Sequence, residues 1–370
     1  MHRLTTLFAL LFFAVPSPAQ TPLRVAIVGL VHGHVSGFLG PALKRTDIQV
    51  VGIADPDPAL AKNYSAKFHL DPQLFFTDTE TMLAKVHPQA VLVYTDTRSH
   101  RPVVELAARH HIAVMMEKPL AVSVEDALAI QHAADSAHIP VLVNYETTWY
   151  PSNNAVGELV RDGALGDIRK VVVHDGHQGP KEIGVEPEFL AWLTDPDRNG
   201  AGALFDFGCY GADLMTWLMN GAAPTSVTAV TQQIKPDIYP YVDDEATVVL
   251  TYPKAQAILQ ASWNWPFDRK DMEVYGATGQ AITVRRDDLR VRLKGEPQEK
   301  LEHAPPLAPP DNDSITYLIA VVSGKIQPTG LSALDTNVTV TRILAAARES
   351  AKTGRTVQLA SDRQHSSPSH

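Results

Sequence analysis

A single cysteine, Cys209, occurs among 370 residues, so no disulfide can close within the chain and no thiolate cluster can hold a metal. A lone cysteine in a packed segment serves as a small hydrophobe. Basic charge is also scarce: 32 Lys and Arg stand against 41 Asp and Glu, for a formal charge of -9, and the cations are scattered rather than gathered in a stripe. A phosphate backbone finds no track to follow, which argues against nucleic acid as a partner. Long apolar runs are absent too, since none reaches the about 20 residues of a membrane-spanning helix. The stretch from Leu7 to Val15 follows His2 and Arg3 and precedes Pro16-Ser17-Pro18-Ala19. A basic start, a short apolar centre and small residues before Gln20 predict a secretory signal peptide over 1–19, with folding from about Leu23. The expected location is periplasmic or extracellular. No twin-arginine pair precedes the apolar stretch, so the chain is expected to cross unfolded and to meet any cofactor afterwards.

What is present suits a folded α/β protein. At 45% hydrophobic residues the chain can bury full cores, and its length suggests two domains. Over 23–145, apolar runs of strand length (Arg24 to Gly29, Ile48 to Ala54, Ala90 to Tyr94, Ile112 to Glu117, Val141 to Asn144) alternate with amphipathic helical patterns. That order predicts a Rossmann domain with a doubly wound parallel sheet. Over 146–360, helical patterns, a long polar loop up to Asn199 and then strands in close succession predict an α+β domain with a large, mostly antiparallel sheet. The Pro-rich stretch from His303 to Asp311 reads as an extended linker, and the polar tail 361–370 as disordered.

The first strand runs into Gly29-Leu30-Val31-His32-Gly33-His34. A dinucleotide fingerprint places glycines so that the chain can turn and approach a pyrophosphate at a helix N-terminus. Here Gly29 holds the first position, Val31 stands at the second, His34 at the third, and Gly33 falls one residue early. Asp55 closes the second strand, where an acid bonds an adenosine ribose and disfavours a 2'-phosphate. NAD is therefore expected over NADP, although Asp55-Pro56-Asp57-Pro58 could equally be a turn and helix cap. His32 with His34, and His174 with His177, are spaced as metal-ligand pairs, but no further motif completes either set, so no metal is expected.

Two distant segments carry acid-base chemistry. Glu117-Lys118-Pro119 ends a buried strand at the sheet edge where open α/β folds bind ligands. The run Gly200-Ala201-Gly202 leads into a predicted helix, which puts Asp206 and Tyr210 on one face at i and i+4, with Asp213 a turn later. Trp192, Trp263 and Trp265 are candidates for stacking on a sugar face.

Together with Thr95 and His100 after the fourth strand, Ser262-Trp263 and the closing Ser350 to Val357, these motifs resemble the Gfo/Idh/MocA oxidoreductases over nearly the whole mature length. The resemblance implies that the loop and Asp55 bind NAD(P), together with Thr95, Asp96, Thr97, His100, Glu117 and Lys118. It further implies that Lys118 is the catalytic lysine, that Asp206 orients the substrate, and that Tyr210 stands where many members have histidine. A tyrosine there resembles the glucose-fructose oxidoreductase branch. Lys118 would then share one hydroxyl with Tyr210 and lower its pKa. Val31, Asp96 and Thr97 depart from the family pattern on loops expected to touch the dinucleotide. The resemblance implies a homo-oligomer and an NAD-dependent oxidoreductase of a sugar or sugar derivative. The alternatives are a redox-neutral glycosidase that retains its NAD, and a sugar-binding protein whose cofactor loop has decayed.

Overall fold

The computed structural model describes residues 21–359, so the expected signal peptide and the expected disordered tail lie outside the described residues. The first domain alternates β1 (Leu23–Val28), α1 (His34–Ala42), β2 (Ile48–Ala54), α2 (Pro58–Phe68), β3 (Phe75–Phe76), α3 (Thr79–Val86), β4 (Ala90–Val93), α4 (His100–Arg109), β5 (Ala113–Glu117), α5 (Val124–Ala137) and β6 (Val141–Asn144). The sheet order is β3-β2-β1-β4-β5-β6 and every pair is parallel. β4 and β5 are buried on both faces, which is why they read as unbroken apolar runs. Short-range chemistry sets the helix starts: Asp57, Asp78 and Ser123 each accept a backbone N–H at an N-cap.

The second domain contains α6 (Pro151–Arg161), β7 (Ile168–Gly176), α7 (Pro187–Leu193), α8 (Pro196–Asn199), α9 (Ala203–Asp206), α10 (Gly208–Leu218), β8 (Ser226–Gln232), β9 (Glu245–Thr251), β10 (Gln256–Ser262), β11 (Arg269–Gly276), β12 (Gly279–Thr283), β13 (Asp288–Leu293), β14 (Lys300–His303), α11 (Ser314–Val322), α12 (Leu334–Thr353) and β15 (Val357–Gln358). Its nine-stranded sheet runs β14-β13-β12-β11-β7-β10-β9-β8-β15 and is antiparallel except for β7 against β10. Alternating buried and exposed residues along β8 and β9 lay one face on α12 and α9, while α10 covers β10 and β7.

Three features depart from the sequence reading. The polar stretch before Asn199 contains α7, which Pro187 opens and which buries Phe189, Trp192 and Leu193 on one face. The helix carrying Asp206 and Tyr210 is broken at Phe207 into α9 and α10. Finally, α11 packs into the core of the first domain, where Ile315 and Leu318 join Val25, Ile27, Leu92 and Met115, although it lies in the 146–360 segment. Its sequence is apolar nearly all round, so it needs cover on more than one side, and the outer face of the first sheet supplies it.

Candidate active site

β5 ends at Glu117 and delivers Lys118 to the carboxyl edge of the parallel sheet, with a cis bond between Lys118 and Pro119. The Lys118 ammonium donates to Asp206 Oδ1 at 2.5 Å and to the Asp206 carbonyl at 2.9 Å. Asp206 Oδ2 accepts the Trp263 indole N–H at 2.9 Å. Burial alone would drive both charges toward neutrality, yet each outweighs it for the other: the Asp206 carboxyl is held below, and the Lys118 ammonium above, its ordinary value. A charge pair this buried, with its oxygens satisfied, is fixed in one geometry.

Asp206 is placed by a tight backbone crossing. A Cβ on Gly202 would sit 1.8 Å from the Asp243 carbonyl oxygen, so only glycine fits there. Asp243 in turn accepts the backbone N–H groups of Gly202 and Leu204, which fixes the start of α9. Past the break at Phe207, Tyr210 comes to lie beside Lys118, but not hydroxyl to ammonium. Lys118 faces the Tyr210 ring at 5.1 Å from its centroid, and Lys270 of β11 faces it at 4.8 Å. The phenol is pushed well above its ordinary pKa by burial, then by Cys209 and Glu146. For the expected meeting of Lys118 and Tyr210 on one hydroxyl, the structure supplies a neighbouring ammonium over the ring: the Lys118 hydrogen bonds go to Asp206, and the phenol stands above its ordinary pKa.

Further groups join this cluster, of which the sequence singled out His177 alone, and that for a metal. Glu146 binds Lys270 and accepts the Tyr150 hydroxyl at 2.6 Å. Asp175, near the end of β7, is buried with neither carboxyl oxygen hydrogen-bonded. Burial pushes its pKa well above the ordinary carboxyl value. His177 lines the adjoining cavity and is kept neutral, chiefly by burial. Polar residues following the apolar run of β7 were the available signal for Asp175 and His177; Lys270 and Glu146 left none, because sheet pairing brings in Lys270 and the turn after β6 brings Glu146 to meet it.

The cofactor loop makes the turn required of it. Gly29 has φ 87°, and a Cβ there would lie 2.7 Å from Thr95. α1 starts after Gly33 with no side chain capping its N-terminus. Asp55 is buried, and its two oxygens accept the N–H groups of Leu30 and Asp57, at 2.7 and 2.8 Å, so it ties the loop to the end of β2 while Asp57 caps α2. Burial raises its pKa. The buried ring nitrogen Nε2 of His100 has no partner. The turn, the uncapped helix N-terminus and the strand-end acid fit a dinucleotide, whose nicotinamide would supply hydride acceptance near Lys118 when bound.

α7 nevertheless lies over that loop. Trp192 donates its indole N–H to the Val31 carbonyl at 3.1 Å, and Phe189 packs 4.6 Å from the His32 ring. A Cβ at position 33 would lie 2.9 Å from the Glu186 carboxylate and 3.3 Å from the Phe189 ring. Trp192 and Trp263 are both buried, Trp192 over the loop and Trp263 on Asp206, and so present no face to a sugar; Trp265 is half-buried beside His174. Asp96 accepts from Ser99 and from Arg198 of α8, at 2.9 and 2.7 Å, and Thr97 meets Asn199 at 3.4 Å. These two side chains, expected to reach the cofactor, are engaged by the cap of the next turn and by α8.

His34 bonds Glu117 at 2.9 Å, and Asn144 donates to the other Glu117 oxygen at 3.0 Å. His32, His34 and Glu117 offer ligand atoms within 4.8 Å of one another, so they are the described residues closest to a metal-binding set. His32 is held neutral by burial, with His34 and Lys118 adding to it.

Known proteins of this shape place the site in context. Residues 23–145 match the model of an oxidoreductase family with an NAD-binding Rossmann fold, and residues 154–282 match a GFO/IDH/MocA C-terminal domain. The trans-1,2-dihydrobenzene-1,2-diol dehydrogenase of Macaca fascicularis is 27% identical over 231 residues, which cover 62% of this chain and 64% of that protein. The D-apiose dehydrogenase of Paraburkholderia graminis is 27% identical over 266 residues, 70% of this chain and 67% of that protein. In fold, the chain superposes on an aldose-aldose oxidoreductase from Caulobacter crescentus complexed with glycerol, with a TM-score of 0.77 at 24% identity over 91% of this chain and all of the other. It also superposes on an inositol dehydrogenase homolog complexed with NAD+ from Azotobacter vinelandii, with a TM-score of 0.79 at 20% identity over 92% and 98% of the two chains.

Proposed function

The chain belongs to the GFO/IDH/MocA oxidoreductases, and from that premise we propose that it is an NAD-linked oxidoreductase acting on a hydroxyl of a sugar or polyol. The observation that carries this reading is the buried Lys118–Asp206 pair set against the face of Tyr210 at the carboxyl edge of the parallel sheet. A pure binding protein has no use for a buried charge pair beside a phenol. The relatives named for diol and apiose dehydrogenation support the substrate class.

In this proposal Asp206 holds the Lys118 ammonium, and Lys118 and Lys270 favour negative charge on Tyr210 through its ring. Tyr210 carries the proton of the reacting hydroxyl. Because its phenol is held well above the usual value, it is protonated at neutral pH and suited to giving a proton in the reducing direction. Taking a proton in the oxidising direction requires prior ionisation, so oxidation should speed up as the pH rises. Asp55 excludes a 2'-phosphate, which favours NAD over NADP.

The test is turnover on a panel of aldoses, polyols and their acids, preceded by mass spectrometry of the natively purified protein for bound dinucleotide. Wild-type turnover by Lys118→Ala on the identified substrate would sink the assignment. The α7 cover favours a second reading, in which NAD is retained and a glycoside is hydrolysed with no net change in NADH. Cofactor that survives purification, together with glycoside cleavage without NADH release, selects that reading. Sugar affinity with no affinity for NAD or NADP selects a binding protein instead. The same proposal has residues 1–19 directing export and the mature chain forming a homo-oligomer; a mature N-terminus other than Gln20, or a monomer by light scattering, would remove the respective part.

A further inference from the structure

A cavity of about 540 Å3 opens on the second sheet and reaches the proton site through Phe207 and Lys270, both packed against the Tyr210 ring. Its walls carry mixed charge, and most of that charge is matched. Lys270 is bound by Glu146, Arg269 by Asp271 at 2.7 Å, and Arg290 by Glu299 at 3.1 Å, while Glu273 accepts the Tyr275 hydroxyl at 2.5 Å. Two cations break the pattern. Arg285 and Arg286, at the tip joining β12 and β13, line the cavity, and among the described residues no carboxylate lies within ion-pair distance of either guanidinium. The remaining acid of the lining, Asp268, is exposed and acts on His177.

The tip is anchored rather than loose. Buried Ser152, in the first turn of α6, donates its backbone N–H to the Arg286 carbonyl at 3.1 Å and its hydroxyl to the Arg285 carbonyl at 2.8 Å. Val284 N–H closes the hairpin on the Asp288 carbonyl at 2.8 Å. Arg286 then lies over the Tyr150 ring, 5.0 Å from its centroid, and Tyr150 bonds Glu146, the partner of Lys270. The backbone of both arginines is thus fixed at the cavity wall, and the Arg286 guanidinium is linked through Tyr150 and Glu146 to the lysine that faces Tyr210. Exposed arginines at a hairpin tip are ordinarily just solvated; two on an anchored backbone at a cavity wall, neither ion-paired among the described residues, present adjacent donors to an anion.

We infer that this cavity recognises an acidic carbohydrate, a sugar whose carboxylate or phosphate group is held by Arg285 and Arg286 while a hydroxyl faces Tyr210. This rests on the oxidoreductase reading only in taking the cavity as the substrate entrance, and it is tested by binding, without turnover. Isothermal titration of the full-length protein with D-glucuronate, D-glucose 6-phosphate and D-glucose should show at least one acid bound more tightly than glucose. Which acid binds better separates a carboxylate from a phosphate ligand. The double variant Arg285→Ala/Arg286→Ala should lose roughly 10- to 100-fold of that affinity while leaving glucose affinity unchanged. For the wild type, acid binding should weaken as NaCl is raised from 50 to 500 mM, and glucose binding should not. Glucose bound as tightly as both acids, or acid affinity unmoved by the double variant and by salt, overturns the inference even if Lys118 proves essential. Turnover retained by Lys118→Ala would overturn the oxidoreductase reading and leave the acid binding standing.

Discussion

The proton site and the cofactor loop lie along the same carboxyl edge of the parallel sheet, yet they are held in opposite ways. Lys118 and Asp206 are fixed by complementary charge, by the hydrogen bond Trp263 donates, and by the one Lys118 donates to the Asp206 carbonyl. The loop from Gly29 to His34 is tied at its base by Asp55 and Glu117, but its outer side is covered by the aromatic rings of Phe189 and Trp192 of α7. A buried ion pair can be broken only by stranding a charge, whereas an aromatic cover can be lifted for the cost of exposing its area. The chemistry-bearing residues are therefore rigid, and the place for the dinucleotide is the adjustable part.

The largest expected effect breaks the first region. Lys118→Ala should lower kcat roughly 100- to 10,000-fold and, by leaving the Asp206 carboxylate buried and unpaired, destabilise the fold by about 3–5 kcal/mol. Tyr210→Phe should show a similar kinetic loss and abolish the rise of oxidation rate with pH, but with little change in denaturation midpoint. If Lys118→Ala unfolds at the wild-type midpoint, the pair is not what holds the site. Because Asp206 is held below its ordinary value, its stabilising contribution is complete at neutral pH and is lost as pH falls through that lowered value, below about pH 4.

The next effect tests the second region. Phe189→Ala should cost about 3 kcal/mol by denaturant titration, the low end for a buried Phe to Ala change, and should tighten dinucleotide binding several-fold if α7 must move. Unchanged or weaker dinucleotide binding in this variant would mean that the cover belongs to the bound state.

A smaller effect, of opposite sign, comes from Asp175. Its folded pKa lies above its unfolded one, so the wild type loses stability as pH rises from about 4 toward the folded value, by about 1.4 kcal/mol per unit. Asp175→Asn should remove that slope and raise the melting temperature at pH 7. A parallel pair of stability curves would show that Asp175 ionises freely.

The smallest effect concerns the half-exposed pair between Arg198 and Asp96, which clips α8 to the loop after β4. Arg198→Ala should change stability by about 1 kcal/mol or less. A larger loss would mean that α8, rather than α7, is the main clamp.

Both regions were legible as sequence motifs, but to different depths. Lys118 could be placed because the apolar run Ile112 to Met116 must be buried on both faces and must end at the sheet edge. Asp206 and Tyr210 could be placed near each other by their spacing, even though the helix that suggested it is interrupted at Phe207. The cover over the loop was missed because the polar, proline-bearing stretch before Asn199 masked the short apolar stripe of Phe189, Trp192 and Leu193. The role expected for Trp192 failed for the same reason: stacking on a sugar needs an exposed face, and α7 buries it.

The sequence by itself determined the alternation of strands and helices, the two sheets and the delivery of a lysine and an acid to one edge. Those depend on periodicity, capping and backbone sterics, which act over a few residues. Only the tertiary structure decided that Lys118 pairs with Asp206, 88 positions away, and leaves Tyr210 its ring alone. It alone brought Glu146, Asp175 and Lys270 into the cluster and set α7 over the loop. Which charges meet, and which stay unpaired in the core, depends on how whole elements pack, because a hydrogen bond is decided within tenths of an ångström that no spacing in the chain encodes.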